Sequence, residues 1–124
     1  MRCHFFIEGQ IRGGKNNMKV TRFGRHYPNP VWAEWRDGVV QSLKKQAKAQ
    51  GRPVFERLNG ILTIELNYWP GDLKRRDVPA ILDSIFHCLE KAEIVEDDSM
   101  LKNVSFIDNG LNRKNPRVRM WIYK

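Results

Sequence analysis

Between Gly71 and Ser99 a chain-breaking turn, a basic triplet, a helix and an acidic cluster follow without interruption, and this stretch limits what the chain can fold into. It reads GDLKRRDVPAILDSIFHCLEKAEIVEDDS, with Lys74, Arg75 and Arg76 leading into Asp77 and Glu96-Asp97-Asp98 closing it. Pro79 sets the helix start, because proline suits the first helical position and disfavours helix in Val78 before it. Ile81, Leu82, Ile85, Phe86, Leu89 and Ala92 recur at helical spacing, with Asp83, His87, Glu90 and Lys91 on the polar side and an end near Glu93. A helix holds its ends apart. Asp77 and Asp98 therefore meet only if strands at the two ends bring them together.

Strand patterns flank this helix. Residues 60–69 alternate Ile61, Thr63, Glu65, Asn67 and Trp69 against Leu62, Ile64, Leu66 and Tyr68, as a central strand does, and Pro70-Gly71-Asp72 breaks it. Residues 3–9 read as a first strand, and Lys102–Ile107 and Arg117–Tyr123 as two closing strands joined through residues 108–116. Asn29 caps a helix from Pro30 to about Ala49, with Gly51 as its stop and Trp32, Trp35, Val39, Leu43 and Ala47 as its apolar stripe. The two tryptophans on that stripe are core residues by this reading. The expected fold is α+β: a small mixed β-sheet with two helices packed against it, in the order β-α-β-α-β-β, as one domain over residues 1–124.

Residues 10–29 read as a loop. Gly13-Gly14, Lys15, Asn16-Asn17, Lys19, Arg22, Arg25 and His26 make it small, amide-rich and cationic, which suits phosphate and sugar contacts and equally suits a solvated basic loop. The whole chain leans the same way: 22 Lys and Arg against 14 Asp and Glu give a formal charge of +8 over 124 residues. An anionic partner fits that balance. Cys3 and Cys88 form no Cys-x-x-Cys pair, so a zinc site is not expected, and buried thiols in a reducing compartment are. No apolar run approaches the roughly 20 residues that cross a bilayer. The expectation is a cytoplasmic protein with no membrane partner and no small-molecule substrate.

Two or three carboxylates suffice to hold Mg2+, which keeps several of its waters. Such an ion polarises a phosphodiester and activates a bound water, while Lys74, Arg75 and Arg76 hold the backbone beside it. Asp77, at a helix N-terminus, is a candidate ligand or a simple cap, and Asp97-Asp98 are candidate ligands or a turn before a strand.

The run Arg75-Arg76-Asp77, the helix and Glu96-Asp97-Asp98-Ser99 together resemble the RusA family of Holliday-junction resolvases. The likeness covers the central third of the chain and extends more loosely to Gly13–Asn17. It implies a homodimer that uses Mg2+, with Mn2+ as a substitute, to nick opposed strands of a four-way DNA junction in recombination and repair. It also implies that Asp77 and Asp98 bind the metal, with Asp97 beside them, and that Lys15, Asn16 and Asn17 touch DNA along with Lys74, Arg75 and Arg76. The family pattern of a second aspartate, an asparagine and a lysine after Asp77 is replaced here by Pro79, Ala80 and Asp83. Residues 79 and 83 share a helix face, and helical side chains lean toward the N-terminus. Asp83 is thus expected to supply the relocated third carboxylate, making Asp77, Asp83 and Asp98 the catalytic set. The alternative is a branched-DNA-binding protein that kept the fold without cleavage.

Overall fold

Alternation in three stretches of sequence is matched by alternation in burial. Cys3, Phe5 and Ile7, then Leu62, Ile64, Leu66 and Tyr68, then Val118, Met120 and Ile122 are all buried, while their neighbours in sequence are not. A computed structural model of the chain describes residues 2–13, 18–51, 55–56 and 60–124. In it these stretches are β1 (Arg2–Glu8), β4 (Leu62–Trp69) and β6 (Arg117–Tyr123), joined by β5 (Leu101–Asp108) in a four-stranded sheet of order β1-β6-β4-β5. β6 runs antiparallel to β1 and β4, and β5 runs parallel to β4. The sheet is mixed, as expected.

Two helices pack into the same core as the buried sheet face. α1 (Pro30–Ala49) starts behind Asn29, whose side chain accepts from the Val31 N–H at 3.0 Å, and buries Trp32, Val39, Val40, Leu43 and Ala47. α2 (Val78–Lys91) buries Ile81, Ser84, Ile85, Cys88 and Leu89. Burial of these side chains and the facing strand residues is the main stabilising term, at about 25 cal/mol per Å² of apolar surface. The fold is α+β.

Element order differs from expectation in one place. Residues 10–29 are not loop throughout: β2 (Met18–Val20) and β3 (His26–Pro28) form a separate two-stranded antiparallel ribbon. Strands of three residues, exposed but for half-buried Pro28, carry no hydrophobic alternation to betray them. Lys15, Asn16 and Asn17 lie outside the described residues.

The free edge of β1 is covered by side chains of α1. Gln46 accepts from the Phe6 N–H (2.9 Å) and donates to the Phe6 carbonyl (2.8 Å), and Gln50 does the same for His4 (3.2 and 2.8 Å). Each amide stands in for a neighbouring strand, which blunts an edge that otherwise invites pairing between chains. No helix among the described residues is long and apolar enough to cross a membrane.

The connection that matters most is β4-α2-β5. Parallel β4 and β5 require α2 to run back along the sheet, so its N-terminus lies by the end of β4 and its C-terminus by the start of β5. Asp77 and Asp98 flank that helix at opposite ends.

Candidate metal and nucleic-acid site

The turn leading into α2 is clamped by Gln10, just beyond β1. Gln10 accepts from the Gly71 N–H and donates to the Tyr68 hydroxyl, both at 2.7 Å. Gly71 packs closely here: a Cβ would stand 3.0 Å from the Pro116 Cβ and 3.3 Å from Gln10 Oε1, so any larger residue would push these neighbours back. Asp72 then accepts from the Lys74 N–H at 2.9 Å and from Arg76 through Nη1 and Nη2 at 2.6 and 2.9 Å. The Arg76 hydrogen bonds, helped by the Lys74 N–H, pull the Asp72 carboxyl down to about 2. Within the basic triplet, Arg76 is thereby committed to the protein, while Lys74 and Arg75 are exposed.

Asp77 comes next, at the cap position of α2, with no side-chain capping bond. Its backbone carbonyl opens the helix by accepting from the Ile81 N–H at 3.1 Å. A cavity of about 630 Å³ lies in front of it, and Gln10, Arg12, Asn29, Lys74 and Asp77 are among the polar residues lining it. Trp32 forms an inner wall, its indole N–H shared between the Arg12 carbonyl (3.2 Å) and Ser84 Oγ (3.3 Å). Arg12, Lys74 and the unsatisfied N–H groups of a helix start draw anions into such a hollow. A larger groove of about 800 Å³ between β1 and α1 is lined mainly by Phe6, Val31, Trp35, Val39 and their apolar neighbours, with Arg12 outnumbered by Glu8 and Glu34, and is the poorer seat for phosphate.

Asp83 is half-buried on α2 and does not line the cavity. The cavity meets the first turn of the helix through Ala80 and Ile81, the residues that face Gly13 and α1. Pro79 and Asp83, which share a helix face, are not among the residues lining it.

The other acidic residues gather at the C-terminus of α2. The helix ends with the Ile94 N–H bonded to the Leu89 carbonyl (3.0 Å) and the Glu93 N–H to that of Glu90 (3.0 Å), while Glu93 takes a left-handed φ of 61°. Phe55 grips the following segment by accepting from the Glu96 N–H (2.9 Å) and donating to the Ile94 carbonyl (2.8 Å). Asp97 then caps a single 3-10 turn, Asp98–Met100, by accepting from the Ser99 N–H at 2.9 Å. The Asp98 N–H points back to Glu90 Oε1 at 3.4 Å. Carboxylate oxygens of Glu90, Asp97 and Asp98 come within 4.8 Å of one another, all three residues half-buried. An oxygen-only donor set of this kind suits Mg2+ or Mn2+.

Asp97 and Asp98 are thus brought together, with Glu90 as a member that the spacing in sequence did not single out. Helical periodicity places Glu90 only on the polar stripe of α2. Asp77 and Asp83 belong to no group of three such ligands among the described residues. Asp77 and Glu90 are thirteen residues apart on one helix, roughly 20 Å at 1.5 Å per residue, and Asp83 is roughly 10 Å from Glu90. Lys74 is on the cavity, whereas Lys102 is exposed on β5 at the opposite end of α2. Gln10, Arg12 and Asn29, which the sequence did not mark as site residues, complete the cavity; each is remote from Asp77 in sequence. Comparison with models of known protein families and with curated proteins finds no match for this chain.

Proposed function

We propose that this chain is a Mg2+-dependent, structure-selective endodeoxyribonuclease acting as a homodimer on four-way DNA junctions. The observation that carries this reading is the hollow at the start of α2, where Asp77, not used as a cap, stands among Arg12, Lys74 and helix N–H groups. A carboxylate kept beside cations and a helix N-terminus fits a divalent ion held against a phosphodiester. When bound, the ion supplies Lewis-acid polarisation and a water activated for attack. Lys74 and Arg12 would hold the phosphate, Arg76 fixes the turn through Asp72, and Asp77 would hold the ion beside the backbone.

Helix length gives the homodimer a second purpose beyond paired cuts. One ion cannot touch both Asp77 and Asp98 of the same chain, which flank α2 at opposite ends. Two copies about a two-fold axis, α2 beside α2 and antiparallel, set Asp77 of each against Asp97 and Asp98 of the other. Leu82 and Phe86, only partly buried on α2, offer apolar surface for that contact.

One observation favours the second reading, a branched-DNA-binding protein without cleavage: among the described residues of a single chain, Asp77 stands in no three-carboxylate group. Incubation with a synthetic four-way junction separates the two. Symmetric nicks that appear only with Mg2+ or Mn2+, and vanish in Asp77→Asn, support the nuclease. A mobility shift with no nicks under any divalent metal supports the binder.

A further inference from the structure

Residues 18–28 form a ribbon with a pinned tip. The Thr21 N–H donates to the Arg25 carbonyl (2.8 Å), the Gly24 N–H to the Thr21 carbonyl (2.9 Å) and the Arg25 N–H to Thr21 Oγ1 (3.0 Å). Gly24 has a φ of 80°, a conformation L side chains rarely adopt. This tip presents Phe23, 84% exposed and the most exposed large apolar side chain among the described residues, with the Arg22 guanidinium 4.9 Å from its ring centre. Lys19, Arg22, Arg25 and His26 give the ribbon its charge, and no Asp or Glu occurs between Met18 and Pro28. The ribbon returns at Asn29, which lines the cavity of Asp77.

Cations on such a ribbon match phosphates, and a two-stranded ribbon is narrow enough to enter a DNA groove. An aromatic ring held at its tip needs an apolar flat face. Continuous duplex hides its base faces, but a branch point interrupts stacking and offers them, and apolar wedges inserted at base steps are an established way to hold such distortions. A second copy is a poor occupant, because tip against tip sets Arg22 and Arg25 beside their own equivalents. We infer that Phe23 is a wedge that stacks on exposed bases at a DNA branch point, with Lys19, Arg22 and Arg25 gripping the flanking phosphates. This rests on the branched-DNA reading above and names the element that selects branched over linear DNA.

The test uses the whole protein in Ca2+, which binds carboxylates as Mg2+ does, with a four-way junction carrying 2-aminopurine at the exchange point. Wild type should brighten the probe several-fold by unstacking it. Phe23→Ala should abolish most of that rise yet bind linear duplex within about threefold of wild type, since its phosphate contacts are intact. Phe23→Leu, still apolar, should keep part of the rise. Arg22→Ala with Arg25→Ala should weaken junction and duplex alike and reduce the salt slope by about 2. Junction binding with an unchanged probe signal in Phe23→Ala overturns the wedge and leaves the nuclease reading standing, as does an altered oligomeric state in that variant. Failure of wild type to bind the junction at all overturns both.

Discussion

Asp72 and Arg76 form a two-point ion pair across four residues, at 2.6 and 2.9 Å, in the turn that delivers Asp77. The pair converts one member of an apparently uniform basic run into a brace. Only Lys74 and Arg75 are then left to face a polyanion.

A pH titration tests that brace. The Asp72 carboxyl, with a folded value of about 2 against an ordinary 3.8, favours folding above the ordinary value, and that contribution is lost as pH falls toward 2. The side-chain carbon resonance of Asp72 should therefore titrate near 2, and Arg76→Gln should bring it back toward 3.8. A normal midpoint in wild type would mean the pair does not persist in solution.

How much of this was legible in the sequence differs by element. α1 was readable to its ends because Asn29, Pro30 and a stripe of apolar residues each act locally. The apolar side of α2 was readable for the same reason, but not its ends: Val78, which Pro79 disfavours from helix, is the first helical residue, and the helix stops at Lys91 before Glu93. The ribbon at 18–28 was not, since three-residue strands show no period. Nor was the meeting of Glu90 with Asp97 and Asp98, which depends on a left-handed turn at Glu93 where a glycine would have signalled the reversal. The parallel β4-α2-β5 crossover sets Asp77 and Asp98 at opposite ends of α2, a separation that local sequence patterns do not display.

That left-handed turn yields a stability prediction. A residue with a Cβ costs about 1–2 kcal/mol in this conformation, partly offset by the greater unfolded-state entropy of glycine. Glu93→Gly should stabilise the protein by about 0.5–1 kcal/mol in denaturant melts. A loss of stability would show that the Glu93 side chain contributes more than its backbone costs.

The glutamine cover on β1 gives another. Gln46→Ala and Gln50→Ala should each cost about 0.5–1.5 kcal/mol, the usual net worth of the hydrogen bonds removed. The double variant should also associate at high concentration through its opened edge, visible by sedimentation. A double variant that stays monodisperse, relative to wild type, would mean that α1 itself shields the strand.

Cys88 is fully buried, and desolvation pushes its thiol up to about 12 from an ordinary 9.0. The unfolded chain loses this proton first, so the folded state binds more protons between those values. Stability should then fall as pH rises above 9, by up to about 1.4 kcal/mol per unit. Native protein at neutral pH should leave Cys88 unlabelled by thiol reagents. Cys88→Ala should flatten the alkaline loss, measured against its own neutral-pH stability.

On the nuclease reading proposed above, mixing two substituted variants decides whether the sites are shared between copies. Asp77→Asn keeps Asp98, and Asp98→Asn keeps Asp77. In a dimer built with α2 helices antiparallel, the heterodimer of these variants has one site with both substitutions and one with neither. Each variant alone should be inactive, and an unfolded-and-refolded mixture should regain cleavage in up to about half of its dimers by random pairing of equivalent chains. Its product should be a junction nicked on one strand, because only one site of the pair is whole. Sites confined to single chains predict no recovery at all, since every chain in the mixture then lacks a ligand. A denaturing gel of a junction labelled on all four strands reads the outcome directly.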